Sequence, residues 1–91
     1  AQAGALAALD ADSRLTLRPG LRWQLAPHGP DTVALRLFDR TITLPAECEP
    51  AVRAVLTGAV SRVGDLPGLP DDADRLTLAR RLLREAVLVP E

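Results

Sequence analysis

Val33-Ala34-Leu35-Arg36-Leu37-Phe38-Asp39-Arg40-Thr41-Ile42-Thr43-Leu44-Pro45-Ala46-Glu47-Cys48-Glu49-Pro50-Ala51-Val52-Arg53-Ala54-Val55-Leu56, residues 33–56, changes its hydrophobic period midway. In the first half, Val33, Leu35 and Leu37 alternate with Ala34 and Arg36, the period of two that marks a half-buried strand. Asp39-Arg40 reads as a tight reversal. It leads into a second strand, Thr41 to Leu44, with Ile42 and Leu44 facing inward and both threonines outward. Pro45 ends the sheet. Beyond it Cys48, Val52, Val55, Leu56 and Ala59 recur at helical spacing, with Pro50 tolerable only in the first turn and Gly58 near the end.

Upstream, Leu15 and Leu17 alternate with Thr16 and Arg18, and after Pro19-Gly20 the same pattern continues in Leu21, Trp23 and Leu25. These too read as half-buried strands. Pro27-His28-Gly29-Pro30-Asp31 is turn chemistry, so a three-stranded antiparallel meander is expected. Downstream, Val60 to Val63 allows one short strand, and Asp65-Leu66 before Pro67-Gly68 allows little more than a single helical turn. Pro70, Asp71, Asp72 and Asp74 open the strongest helix signal, which runs through Arg84 or Glu85. On that helix Leu76, Ala79, Leu82, Leu83 and Ala86 share one face, and Thr77, Arg80, Arg81 and Arg84 the other. Val87-Leu88-Val89, stopped by Pro90, reads as a strand closing the fold. Ala1 to Leu9 reads as a short helix or a linker.

The expected class is therefore α+β. It is winged-helix-like, a three-stranded antiparallel meander packed on about three helices, with 1–14 an N-terminal helix or linker and 15–91 the domain. Trp23, Leu35, Leu37, Ile42, Val52, Leu56, Leu76, Leu82 and Leu83 are expected to form one core, with the single Trp at its centre. An apolar fraction of 47% with 25% charged residues places the chain among folding domains rather than disordered ones.

The charge balance argues against nucleic acid. Formal net charge is −1, whereas phosphate-binding domains carry a basic excess. All eleven basic residues are Arg, which fits a G+C-rich bacterial coding bias. No apolar run is long enough to span a bilayer, so no membrane association and a cytoplasmic setting are expected. The missing Met at position 1 suggests a piece of a longer or processed chain. His28, the only histidine, sits in a Pro/Gly loop without partners for a metal or acid–base centre. Cys48, the only cysteine, lies on an apolar helix face and reads as core. Asp71, Asp72 and Asp74 are explained by the helix start. No catalytic, cofactor-binding or metal site is read, and no cofactor is expected.

The run Leu17 to Pro90, with "LRPGLRW", "TITLPAECEPAVRAVL", "VGDLPGL" and "LARRLLREAVLVP", resembles the C-terminal winged-helix region of bacterial cupin-like Jumonji C oxygenases, relatives of the ribosomal oxygenases. That resemblance implies a parent iron- and 2-oxoglutarate-dependent protein hydroxylase with its metal ligands in an upstream cupin domain. The chain is also similar to the winged-helix modules that bind leader peptides in peptide-modification pathways, including the pyrroloquinoline quinone chaperone. In those modules the peptide adds to the third strand beside the last helix. By position this implicates Arg40, Thr41 and Thr43 on the strand, with Leu78 and Arg81 on the helix. Pro45 departs from the small polar residue such modules often carry there.

Three functions are thus in view. The first is a non-catalytic accessory domain, supporting substrate-protein binding or domain packing beside a parent cupin domain. The second is a leader-peptide recognition module, and the third a DNA-binding winged helix using Arg80, Arg81 and Arg84. In the groove between Thr41–Leu44 and the last helix, Leu78 would offer apolar contact and Arg81 a charge-assisted bond to an acidic side chain. A second copy of the chain, forming a homodimer, is an alternative cover for that strand edge.

Overall fold

A computed structural model describes residues 9–91. Its order is β1 (Leu15–Leu17), β2 (Gln24–Pro27), β3 (Thr32–Arg36), β4 (Thr41–Pro45), a 3-10 turn (Ala46–Cys48), α1 (Glu49–Leu56), a second 3-10 turn (Val63–Asp65), α2 (Asp72–Arg84) and β5 (Leu88–Pro90). The α+β class and the antiparallel meander β2-β3-β4 are present, with a second sheet of β1 and β5 beside it. Two α-helices fall within the described residues; the helix expected over 1–9 lies outside them, apart from Leu9. No helix among the described residues is long and apolar enough to cross a membrane.

The meander buries one face in cross-strand rows. Leu25 stands opposite Leu35 and Leu35 opposite Ile42, while Val33 stands opposite Leu44. All five are buried. Against that face α1 packs Ala51, Val52, Val55 and Leu56, and α2 packs Leu78, Ala79, Leu82 and Leu83, in one continuous core with Leu15, Val63, Val87 and Leu88. The core falls short of the expected list in three places. Trp23, Leu37 and Leu76 are only partly buried at its margin.

The cause at Trp23 is where the ladder stops. Arg18 O accepts from Leu21 N–H at 3.1 Å, and Gly20 has φ 79, a turn with Pro at its second and Gly at its third position, where only Gly is free of strain. The chain therefore enters β2 only at Gln24, opposite Arg36. Trp23 and Leu37 lie one step past that last pair, because the chain reverses through Phe38-Asp39, one residue earlier than expected, with Leu37 N–H donating to Arg40 O at 2.8 Å. Ala59 likewise falls outside α1 and is exposed, because the helix ends at Leu56.

The strand read at Leu15–Leu17 is not part of the meander. It pairs with β5, Leu15 opposite Pro90 and Leu17 opposite Leu88, so the C-terminal strand does close the fold. The short strand allowed at Val60–Val63 reduces to one bridge, Arg14 to Arg62.

α2 starts on Asp71, whose side chain accepts from Asp74 N–H at 3.0 Å, supplying one of the unpaired amides of the first turn. Its end is a two-bond Schellman turn. Val87 N–H donates to Leu82 O and Ala86 N–H to Leu83 O, both at 3.0 Å, and Leu82 and Val87 are each 0% exposed. The residue that must take the left-handed conformation there is Ala86, at φ 60, where a side chain costs about 1–2 kcal/mol relative to Gly. The added unfolded-state freedom of Gly returns about 0.4–1 kcal/mol of that. Ala86→Gly is therefore expected to stabilise the fold by about 0.5–1 kcal/mol, seen as a higher urea midpoint at unchanged m-value. A lower midpoint would contradict the Schellman geometry.

Candidate functional site

Between β4 and α2 runs a groove of about 250 Å³, lined by Leu44, Pro45, Glu47, Cys48, Leu69, Asp74, Thr77, Leu78 and Arg81. β4 is an outer strand of its sheet. Leu37 N–H bonds to Arg40 O and Ala46 N–H to Asp31 O, each at 2.8 Å. Because antiparallel pairs alternate, Arg40, Ile42, Leu44 and Ala46 turn their backbone groups toward β3. Thr41, Thr43 and Pro45 turn theirs outward. No backbone hydrogen bond to Thr41 or Thr43 from outside the meander occurs among the described residues. The open edge thus offers two N–H groups and two C=O groups, those of Thr41 and Thr43, since Pro45 has no N–H and its carbonyl, at the N-cap of the 3-10 turn, is taken by that turn.

The five residues expected at this site divide into three situations. Thr41 and Thr43 lie on the open edge with exposed side chains. Leu78 is buried, 4% exposed, and contributes the floor of the groove rather than a projecting contact. The helical repeat tolerates this, because Leu78 is four residues before Leu82 and joins the same stripe. Arg40 and Arg81 converge on Glu85: Arg40 Nε reaches Glu85 Oε1 at 3.1 Å and Arg81 Nε reaches Glu85 Oε2 at 3.2 Å. Arg40 Nη2 also donates to the Glu85 carbonyl oxygen, and its Nη1 holds Asp39 at 2.9 Å. A guanidinium on the last carbonyls of α2 satisfies orphan acceptors and complements the helix dipole. Arg40 thereby ties the start of β4 to the end of α2.

Two carboxylates not anticipated at the site, Glu47 and Asp74, line the same groove. Asp74 is the third residue of a helix whose acidic start explains it fully, so sequence carries no sign of its second position beside Leu44 and Cys48. The consequence is electrostatic. With Arg81 already matched by Glu85, the groove wall carries uncompensated negative charge. The opposite wall is held by Arg75, which bonds Leu66 O and Leu69 O, each at 3.1 Å, and fixes Leu69 over the groove. Gly68 (φ 83) belongs to this loop, and a Cβ there would come within 3.1 Å of Pro50 Cγ.

His28 is exposed in the β2–β3 loop. Among the described residues no group of three or more His, Cys, Asp and Glu is placed to hold a metal ion. Comparison with models of known protein families finds none that matches the chain, and comparison with curated proteins finds no match either.

Cys48 is a free thiol on the groove floor. Burial pushes its pKa up, and the neighbouring Glu47 and Asp74 charges add to that effect. The thiolate is the reactive form, so Cys48 in the folded chain is expected to react with a disulfide reagent more slowly than a free cysteine at mildly alkaline pH. The rate should rise as pH increases and jump on denaturation. Equal rates in the folded and unfolded chain would contradict this placement.

Proposed function

We propose that this chain is a non-catalytic interaction domain of winged-helix type that receives an extended peptide or protein segment along the open edge of β4. The observation that carries this reading is the outward pair Thr41 and Thr43 beside an apolar-floored groove. Strand addition needs a free edge for backbone pairing and a neighbouring pocket for alternate side chains. Leu44, Cys48, Leu69 and Leu78 supply that pocket. Because Glu47 and Asp74 line it, the segment that fits carries apolar side chains toward the groove and a basic side chain between the two carboxylates. An acidic peptide, the sequence-based expectation for Arg81, suits it less.

The two family resemblances place this surface in different settings. In one it docks a substrate protein or a parent cupin domain; in the other it holds a leader peptide. Both need the same edge.

Thr43→Pro separates this surface from the fold. Its N–H points away from β3, so proline removes an outward donor without removing a ladder bond. The expected outcome is at least a roughly ten-fold loss of affinity for an extended peptide of alternating apolar and basic residues, followed by backbone amide shifts over Arg40–Leu44. The thermal midpoint should change little. Unchanged shifts and affinity in this variant would overturn the reading.

A further inference from the structure

A second concavity, of about 570 Å³, lies at the other end of the meander, lined by Arg18, Arg22, Trp23, Arg36, Leu37 and Phe38 among others. We infer that this cleft is a second docking site, which takes an acidic segment of a protein partner anchored by an apolar side chain.

Trp23 and Phe38 are the only aromatic residues in the sequence. Aromatic side chains carry the largest burial payload of any residue type, and a core built otherwise from Leu, Val, Ile and Ala would be expected to use them. Neither is central to it: Phe38 is 100% exposed and Trp23 only partly buried. Both line the same cleft instead.

The arginines around them have no carboxylate partner. Ion pairs among the described residues engage Arg40, Arg53, Arg62, Arg75 and Arg81. Arg14, Arg18, Arg22, Arg36, Arg80 and Arg84 are exposed and make none, and of these six Arg18, Arg22 and Arg36 line this one cleft. Residues 1–8, outside the described part, contain no carboxylate side chain. Three unmatched positive charges thus face one concave, apolar-walled surface, which focuses positive potential. Trp and Arg are also the side chains that dominate binding energy at protein interfaces.

Charge complementarity selects an acidic occupant, and the aromatic walls select one that brings an apolar side chain. A phosphate backbone is the weaker match. Its affinity grows with the number of phosphates neutralised, whereas the net charge is −1 and the other unpaired arginines, Arg14, Arg80 and Arg84, are not among the residues that line this cleft. The cleft does not depend on the β4 edge, and its sign is opposite to that of the β4–α2 groove.

Trp23 is itself the reporter, because no other tryptophan contributes emission. The full chain would be titrated with a short peptide alternating Asp or Glu with Leu and Phe. A saturable change in Trp23 emission is expected, and Arg22→Glu or Arg36→Glu should each weaken it about ten-fold. Phe38→Ala should also weaken binding while leaving the thermal midpoint unchanged, since that side chain is fully exposed. Thr43→Pro should leave this titration unaffected, which separates it from the β4 edge. The inference fails if Trp23 does not respond, if a basic peptide of matched length responds equally, or if Phe38→Ala binds as well as the parent chain. It fails also if a single-stranded oligonucleotide binds more tightly than the peptide.

Discussion

The rest of the molecule depends on the turn at Ala86. α2 must stop there and the chain must reverse direction, because β5 has to reach β1, Leu88 opposite Leu17. Two backbone bonds and the burial of Leu82 and Val87 in the same core fix that exit. Closing a sheet between the first and last strands of the domain joins residues far apart in sequence, so the loop-closure entropy is recovered only if the turn is well defined. The conformational cost at Ala86 is small against the burial it permits.

The same turn positions the groove. Glu85 is the capping residue of α2, and its side chain and carbonyl are both gripped by Arg40. A partly exposed ion pair of this kind adds only modest stability once solvent screening is counted, but it sets a distance. It holds the beginning of β4 against the end of α2, while Leu44 and Pro45 at the other end of the strand line the groove with Glu47 and Asp74. Prolines then limit both sheet edges. Pro45 closes the outward ladder of β4, and Pro27 stands at the end of β2, so each edge offers few donors to unselected strands.

β3, β4 and α2 were legible in the sequence because their periodicities are long and unambiguous: Val33, Leu35, Ile42 and Leu44 alternate, and Leu82 and Leu83 sit on a clear helical stripe. The partner of Leu15–Leu17 was not legible. Alternation shows that a strand has one buried face and says nothing about which strand lies beside it, so its pairing with β5 required the three-dimensional path of α2. Trp23 misled for a related reason. Its alternation with Leu21 and Leu25 is real, yet the ladder ends at Gln24–Arg36, one residue short of it. At the candidate site Thr41 and Thr43 could be placed through the resemblance to leader-peptide modules, whose peptide adds to the third strand. Neither the coupling of Arg40 and Arg81 through Glu85 nor the acidic lining from Glu47 and Asp74 could be, since both join segments whose separation in sequence hides their proximity.

Backbone amide exchange in β4 of the free protein tests most directly whether this edge is open. Ile42 and Leu44, turned toward β3, should be strongly protected, while Thr41 and Thr43 exchange at nearly the rate of an unprotected amide. Protection of Thr41 and Thr43 equal to that of Ile42 and Leu44 would mean that the edge is already covered, and would contradict the docking role proposed for it.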